Sequence, residues 1–247
     1  MKIYRCDLHI HSTLSPCASL EMSPKNIIVN AQKAGLDIIA ITDHNMVENG
    51  IYASEFAKKS ETTVLFGMEL QTLEEIHLLI IFDDYETASS FQKTIYKLLP
   101  DIENDTSYFG DQVVVDCDDN IVRFEKRLLL NSAQISLSES VMLAKQMGAL
   151  VISSHVDSPN FSIISQLGYV PEDLPLDALE IRNKDNIPDV MPFIMNKNLP
   201  FVTFSDAHYI EDIGKRVTTL SLNEPNIGEI TRALRIKDLL KDFNHDG

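Results

Sequence analysis

Few features of this sequence suit a secreted or membrane protein. It has three cysteines, an odd number without the spacing of a disulfide framework, which is typical of a reducing compartment. The N-terminal residues MKIYRCDLH contain no apolar segment of the kind that signal peptides have. The longest apolar runs, such as residues 78–82, are far too short to span a bilayer. We therefore expect a cytoplasmic protein with no membrane partner.

Basic residues are also scarce. Lys and Arg number 21 against 37 Asp and Glu, which gives a formal net charge of −16 at pH 7. A surface of this charge repels polyanions, which disfavours long nucleic acid as a partner. A small anionic substrate could still bind where bound cations dominate the local field. The content of 44% hydrophobic residues is ordinary for a globular protein with a well-buried core.

The chain has no internal repeat or low-complexity tract, and short β-rich segments alternate with helical patterns. The β-rich segments include residues 3–8, 36–42, 76–82, 149–154 and 200–204. A last helix is predicted at about residues 227–240. This alternation predicts a parallel α/β fold, and about seven such units favour a closed barrel over an open sheet. We expect a single domain over residues 1–247.

Residues 101–137 interrupt this alternation. The segment is polar at first and then resembles a pair of strands joined at Asp119 and Asn120. We interpret it as an inserted hairpin and helical segment on the barrel. Such an insertion could cover the site and shape its specificity.

The positions of the histidines carry most of the functional information. Five of the seven lie at or just past the end of a predicted strand: His9, His11, His44, His155 and His208. His77 begins a strand and Glu69 ends one, whereas His245 is in the polar C-terminal segment. The carboxyl ends of parallel strands share one face of a barrel, where active sites are built. This placement predicts one polar cluster rather than scattered surface residues.

Strand geometry supports metal ligation by this cluster. Residues i and i+2 of a strand point to the same side, so His9 and His11 should converge, as should Asp206 and His208. Asp7 shares the parity of His9 and could orient an imidazole. Eight candidate ligands result: His9, His11, His44, Glu69, His77, His155, Asp206 and His208. Because one zinc ion needs three or four ligands, eight suffice for two ions and approach the number for three. Mixed imidazole and carboxylate ligation suits Zn, Mn or Fe without choosing among them.

In these residues the sequence resembles the PHP (polymerase and histidinol phosphatase) family of metal-dependent phosphoesterases. The matching motifs are DLHIH, TDHN, the glutamate of FGMEL, His77, the histidine of SSH, and SDAH, which occur in the family's order. They extend from residue 7 to residue 208, which is most of the chain. The resemblance implies a distorted seven-stranded (β/α) barrel with a multinuclear metal site.

The resemblance also implies a division of the ligands among ions. A first metal would be held by four side chains: His9, His11, Glu69 and Asp206. Glu69 would bridge to a second metal, held also by His77 and His155. His44 and His208 would face a third position.

The third position lacks one ligand that many relatives supply. Relatives have an Asp or His shortly after the second histidine of the first motif, where this chain has Ser15, Pro16 and Cys17. The thiolate of Cys17 could serve instead, which would favour Zn or Fe. The alternative is that Cys17 is a small buried loop residue. Two or three divalent ions are therefore expected.

The expected chemistry is attack on phosphorus by a metal-activated hydroxide. His208 could assist the leaving oxygen, and Asp7 and Asp43 are candidates for proton transfer or for orienting a ligand, although each could simply cap a turn. Arg182 and Asn183 follow another predicted strand and could bind the phosphate, because a guanidinium fork suits phosphate oxygens. A surface salt bridge is the alternative role for Arg182.

The leading functional hypothesis is a phosphoesterase acting on a small phosphorylated molecule, either a phosphomonoester or a nucleotide. Two alternatives use the same chemistry: a nuclease acting on short oligonucleotides and a histidinol-phosphate phosphatase. A further alternative is a non-catalytic, metal-binding regulatory module. The nearly complete set of ligands argues against that module.

Overall fold

The computed structural model describes residues 1–236. Its strands are β1 Lys2–Ile10, β2 Ile38–Ile41, β3 Thr63–Gln71, β4 His77–Phe82, β5 Val113–Val115, β6 Ile121–Phe124, β7 Leu150–Ser153, β8 Ala178–Glu180, β9 Phe201–Val202 and β10 Thr218–Leu222. Its α-helices are α1 Pro24–Lys33, α2 Asn49–Ala57, α3 Tyr85–Leu98, α4 Thr106–Phe109, α5 Leu137–Gln146, α6 Ile163–Leu167, α7 Ile187–Val190 and α8 Ile227–Arg235. Short 3-10 turns lie at Lys184–Asn186, Met191–Phe193 and Ile210–Asp212.

Eight strands form one sheet that curls into a nearly closed barrel. The strand order is β10-β1-β2-β3-β4-β7-β8-β9. Its two edges approach each other after β9, where Thr203 donates its N–H to Thr218 Oγ1 and accepts the Thr218 hydroxyl at its carbonyl, both at 2.9 Å. The predicted α/β barrel is therefore confirmed.

The barrel differs from the expected one in strand count and direction. It has eight strands rather than seven, and β4 runs antiparallel to both β3 and β7, as β10 does to β1. Only residues 72–76 join β3 to β4. That connection is too short for the helical crossover that parallel neighbours require, so the two strands form a hairpin.

The core has an inner and an outer part. Alternate residues of the strands, such as Leu8, Ile38 and Leu79, fill the barrel interior together with the apolar face of α8. The opposite residues pack against the surrounding helices. Ser23 caps α1 by accepting the N–H of Asn26. The predicted continuation of α8 to residue 240, and His245, lie outside the described residues.

The interrupting segment contains the predicted hairpin, formed by β5 and β6. It is attached to the loop that follows β1, because Val113 donates its N–H to Thr13 O at 2.8 Å. Gly110 has φ 94°, and a Cβ at this position would lie 3.0 Å from Pro16 O. A side chain at residue 110 would thus displace the loop after β1. Among residues 1–236, no helix is long and apolar enough to cross a membrane.

Candidate metal centre

Eight polar side chains with metal-ligating atoms meet at one end of the barrel. They are the eight that the sequence predicts: His9, His11, His44, Glu69, His77, His155, Asp206 and His208. Most lie at or beyond the carboxyl ends of strands that share one direction. His77 instead begins β4, and because β4 is antiparallel to β3, its start lies beside the end of β3. Strand reversal thus explains why a residue at the start of a strand joins this face.

Four of these side chains surround a first position. His9 Nε2 lies 3.2 Å from His11 Nε2, 3.3 Å from Glu69 Oε1 and 3.4 Å from Asp206 Oδ1. His11 Nε2 lies 3.5 Å from Asp206 Oδ1 and 3.5 Å from Glu69 Oε2. Donor atoms that share a tetrahedral zinc ion, each about 2.0–2.1 Å from it, are about 3.3–3.4 Å apart. The spacing therefore fits one divalent ion held by four side chains.

Glu69 extends the cluster to a second position. Its Oε1 lies 3.1 Å from His77 Nδ1 and 3.3 Å from His155 Nε2, and all three side chains are buried. Glu69 Oε1 and His77 Nδ1 have no hydrogen-bond partner. Buried polar atoms are rarely left unpartnered, because desolvation without a new bond costs free energy. A second cation between these groups would satisfy both.

A third group of donors lies around His11. Its ring, Cys17 Sγ and the rings of His44 and His208 offer atoms that all lie within 4.8 Å of one another. Cys17 is an exposed residue, and burial of its sulfur, together with the nearby Glu69 and Asp43, raises the pKa of its thiol. His44 Nδ1 is buried without a hydrogen-bond partner and lies 3.4 Å from Glu69 Oε2. The thiol therefore lies among the side chains predicted to surround a third ion.

Neighbouring groups fix the orientation of the imidazole rings. Both carboxylate oxygens of Glu180 lie 3.0 Å from His9 Nδ1, so this nitrogen donates its proton and Nε2 is left for the metal. His77 Nε2 lies 3.2 Å from Gln71 Oε1, an acceptor that directs Nδ1 to Glu69. His208 Nδ1 donates to Asp206 O at 2.9 Å. In each ring, one nitrogen is held and the other is available for a metal.

Asp43 acts on His11 through a hydroxyl group. The Ser15 hydroxyl donates to Asp43 Oδ1 at 2.6 Å, so its oxygen accepts from His11 Nδ1 at 3.0 Å. Asp43 also accepts the backbone N–H of Ser12 at 2.7 Å. Burial raises the pKa of Asp43, although hydrogen bonds from Ser12 and Ser15 oppose this. The carboxylate therefore aligns a ligand without touching it.

Asp7 lies apart from the rings because the pairing of β1 with β2 shifts between Asp7 and Ile10. Its carboxylate accepts the N–H groups of Ser205 and Gly214 at 2.9 and 3.0 Å. Burial raises its pKa to about 6. Asp7 thereby holds the loop that carries Asp206.

The predicted phosphate-binding residues lie at the rim. The Arg182 side chain is half exposed, and its Nη2 lies 3.7 Å from Asp206 Oδ2. Asn183 is exposed, but its Oδ1 accepts the N–H of Asp185. Arg216 donates Nε to Phe204 O at 2.8 Å and is therefore part of the scaffold. Of these three, Arg182 has the position best suited to an anion.

Opposite charges outweigh burial for three groups of the cluster. Burial opposes ionisation of Glu69, but His77 and His9 hold its pKa well below the ordinary value. Burial likewise opposes ionisation of Asp206, and His9 is the main group that lowers its pKa. Burial opposes protonation of His9, yet Glu180, Asp206 and Glu69 raise its pKa well above the usual range. The first position is therefore strongly negative and suited to a cation.

Two other histidines are kept neutral. Burial, with a smaller effect of His208, lowers the pKa of His11 to about 4. Burial and His11 lower the pKa of His44 well below its ordinary value. Neutral imidazole is the form that ligates metals. These two rings are thus ready to bind an ion at neutral pH.

Strained backbone is concentrated at the same place. Six non-glycine residues among residues 1–236 have positive φ, and four of them belong to or adjoin the cluster: Asn45 (54°), His155 (28°), Phe161 (57°) and Asp206 (53°). Such conformations cost about 1–3 kcal/mol each and tend to occur at functional sites.

The sequence analysis did not identify two residues that orient histidines of the cluster, Glu180 and Ser15. Glu180 ends a predicted strand, which is the same signal that identifies Glu69, but no sequence pattern links it to His9, 171 positions away. Ser15 lies four residues after His11. Its hydroxyl gives no sequence signal of its own.

The barrel and its cluster of imidazoles and carboxylates define the class of metal-binding α/β barrels. Within this class, the family model described as "PHP domain" matches residues 7–161, and a second, "PHP-associated", matches residues 190–238. The chain therefore belongs to the PHP family, and the predicted membership is confirmed. Metal dependence and polynuclear sites are general properties of this family.

Similar proteins with known sequences or structures extend this result. The uncharacterized protein MJ1587 of Methanocaldococcus jannaschii is 34% identical over 104 residues, which cover 38% of this chain and 60% of that protein. The lesion-specific endonuclease PfuEndoQ of Pyrococcus furiosus has TM-score 0.70 and 17% identity, with 96% of this chain matching 56% of that one. The fold is also similar to Endonuclease Q in complex with a 27-mer duplex substrate with an abasic lesion at the active site. The TM-score is 0.67 and the identity 17%, with 96% of this chain matching 57% of that one. A two-domain Bacteroides vulgatus protein containing a predicted PHP-like metal-dependent phosphoesterase has TM-score 0.58 and 18% identity, with 98% of this chain matching 69% of that one. This chain thus spans little more than half the length of the endonuclease. At these identities the likeness concerns the fold.

Proposed function

We propose that this protein is a metal-dependent hydrolase that cleaves phosphate ester bonds. One observation carries the proposal: buried donor atoms converge on Glu69 at 3.1–3.5 Å, and several have no hydrogen-bond partner. Without cations, such a cluster brings desolvated atoms together at a cost in free energy. With two or three cations, each donor has a partner.

The proposed ligand sets follow the three groups of donors. The first ion is held by four side chains: His9, His11, Glu69 and Asp206. The second shares Glu69 and is held by His77 and His155. The third is held by His44, His208 and Cys17, and the thiolate favours Zn or Fe over Mn at that position. When bound, these ions supply Lewis-acid polarisation of a phosphate ester and lower the pKa of water.

Side chains at the rim of the cluster are proposed to contact the substrate, and two buried carboxylates are proposed to hold the loops that carry ligands. Arg182 binds phosphate oxygens, because its half-exposed guanidinium borders the anionic face of Asp206. Asn183 adds a weaker polar contact. His208 is the most exposed ring of the cluster, with 26% of its side chain accessible, so in protein with only two ions bound its free nitrogen can reach a leaving oxygen. Asp43 and Asp7 act indirectly, by holding the loops of His11 and Asp206.

The proposed substrate is a small phosphorylated molecule, either a phosphomonoester or a nucleotide. The net charge of −16 disfavours a long polyanion unless it is bound locally. We also propose that the whole chain acts as one domain and that residues 101–137 are an insertion that borders the site. The hydrogen bond between Val113 and Thr13 supports this position.

A second candidate is a nuclease that acts on short oligonucleotides. It is favoured by the likeness to a lesion-specific endonuclease and to Endonuclease Q bound to duplex DNA. The same ligands and Arg182 would serve, because both reactions cleave a phosphate ester. The two candidates differ in the group attached to the phosphate, which substrate comparison decides.

The test begins with elemental analysis of protein purified without chelator. We expect two to three Zn, Mn or Fe ions per chain, and chelator-sensitive phosphate release from phosphomonoesters or nucleotides. His9→Ala should abolish release and lower the metal content while the barrel remains folded by circular dichroism. Glu55→Ala, which removes an exposed side chain of α2, should retain both. A protein that takes up no Zn, Mn or Fe and releases no phosphate when these are added would refute the proposal. Cleavage of oligonucleotides without release from monoesters would favour the nuclease.

A further inference from the structure

Phe161 occupies an unusual place beside the second metal position. It lies in the connection between β7 and α6, and its ring stacks on His77 with centroids 4.7 Å apart and planes only 6° from parallel. His77 Nδ1 in turn lies 3.1 Å from Glu69 Oε1. Phe161 is nevertheless 39% exposed. The phenyl ring therefore covers one face of a candidate ligand and is still accessible from solvent.

The backbone holds this ring in a conformation that phenylalanine seldom adopts. Phe161 has φ 57°, which is rare for a bulky side chain. Its carbonyl accepts the N–H of His77 at 2.9 Å, so the loop is attached to the start of β4. Within the loop, Ser158 donates its N–H to His155 O at 2.8 Å, and the Ser162 hydroxyl donates to Ser158 O at 2.7 Å. The ring is thus positioned before any ligand arrives.

The core does not account for this aromatic residue. Phe161 belongs to none of the buried clusters that fill or surround the barrel, as far as residues 1–236 are concerned. Exposing an apolar ring and straining its backbone both cost free energy. Strain at such a position is typical of sites that are organised for a ligand.

The same loop also contacts Arg182, the residue proposed to bind the phosphate. Asp157 accepts the backbone N–H of Arg182 at 2.9 Å, and Arg182 Nη2 lies 3.7 Å from Asp206 Oδ2. One loop therefore carries a flat aromatic surface and fixes the backbone of Arg182 at the rim of the cluster. Stacking on an aromatic ring suits any nucleobase, because every base has a π face.

We propose that Phe161 is a specificity-determining residue that stacks on the nucleobase of a nucleotide substrate while the phosphate lies at the metal cluster. This inference rests on the proposed phosphoesterase function and narrows its substrate class. Other phosphate esters lack the planar group and would gain nothing from the ring. The competing role for Phe161 is to cover the His77 imidazole without contacting substrate.

The test compares two compounds that differ only in the base: adenosine 5′-phosphate and ribose 5-phosphate. Wild-type protein should prefer the nucleotide in kcat/KM by at least about fivefold, the lower end for base stacking on an aromatic side chain. Phe161→Asn should reduce this ratio to near one, because asparagine tolerates positive φ and keeps the loop while removing the ring. Phe161→Tyr retains a ring and should restore the preference. Metal content is measured for each variant, because Phe161 contacts His77.

Calorimetry gives a readout that needs no turnover. Titration of the metal-loaded protein with adenosine and with ribose, which contain no phosphate ester to cleave, should show tighter binding of adenosine, and Phe161→Asn should remove the difference. If Phe161→Asn lowers kcat/KM equally for adenosine 5′-phosphate and ribose 5-phosphate, or leaves both unchanged, their ratio does not change. That result would overturn the proposal and leave Phe161 as a cover for His77. If no variant releases phosphate from either compound, the phosphoesterase proposal fails, and the calorimetric ratio still decides whether Phe161 binds a base.

Discussion

Replacing Glu180 tests whether a residue behind the cluster controls its metal affinity. The Glu180 carboxylate is 2% exposed and the His9 ring is fully buried, so water does not compete for their contact. Both carboxylate oxygens lie 3.0 Å from His9 Nδ1, and Oε2 also accepts the N–H of His155 at 3.0 Å. Glu180 therefore acts on ligands of both the first and the second ion.

The expected size of the effect follows from these contacts. Removing the group that orients a ligating histidine typically costs 10–100-fold in metal affinity, or about 1.4–2.7 kcal/mol. Glu180→Gln keeps an acceptor for His9 but loses the charge, so we expect a loss of about tenfold. Glu180→Leu leaves the buried donors of His9 and His155 unpartnered, so we expect a loss of about 100-fold or more.

The assay is a competition titration of metal-free protein with Zn²⁺ against a chromophoric chelator. Glu55→Gln removes a carboxylate from the exposed face of α2 and should bind zinc like the wild type. Thermal unfolding of each metal-free variant separates loss of fold from loss of affinity. If Glu180→Leu melts at a lower temperature but binds zinc as tightly as the wild type, Glu180 supports only the fold and the reasoning is wrong.

Two further predictions concern a ligand and a charge. Cys17→Ser should lower the metal content by one ion per chain and abolish thiolate-to-metal charge-transfer absorption of the Co²⁺-substituted protein, whereas Cys117→Ser should change neither; retention of the band in Cys17→Ser would exclude the thiolate. Burial opposes ionisation of Glu125, but hydrogen bonds from the Arg127 N–H, Arg123 and Tyr96 lower its pKa. A lowered folded-state pKa gives stability that is present above the ordinary value of 4.5 and is lost as the pH falls through the folded-state value. Urea unfolding should therefore show Glu125→Gln less stable than wild type by about 1.5–3 kcal/mol at pH 7, and the difference should shrink below pH 4.5. A difference that is independent of pH would refute this.

The sequence predicts the cluster well where strand geometry alone decides it. His9 lies in β1 and His11 directly follows it, and their Nε2 atoms converge to 3.2 Å, as the alternation of an extended segment predicts. The sequence predicts only that His77 begins a strand. Its place in the cluster follows from the antiparallel pairing of β4 with β3, which the sequence does not reveal. Asp206 and His208 do meet, with Nδ1 and Oδ1 3.6 Å apart, although a turn with positive φ at Asp206 brings them together rather than a strand.

Other features depend on the whole fold and have no local pattern. Asp7 has the parity of His9 in the sequence, but the shifted pairing between Asp7 and Ile10 changes the alternation, so Leu8 faces the interior and Asp7 binds a loop. Glu180 meets His9 only because the curled sheet brings the end of β1 beside the segment that follows β9, the neighbour of β8. Residue types predict which groups can ligate, whereas the register of the sheet determines which groups orient them.

Stability and function oppose each other at this cluster. Three buried atoms that face the proposed ions have no hydrogen-bond partner: His44 Nδ1, Glu69 Oε1 and His77 Nδ1. At about 1–3 kcal/mol for each, their desolvation amounts to about 3–9 kcal/mol, which is a large part of the net stability of a whole domain. Selection for stability alone would replace these groups with apolar residues. Cations that bind the folded protein and not the unfolded chain would offset this cost by mass action. Metal ions of the kind on which the PHP family depends would therefore account for the energetic arrangement of this barrel end.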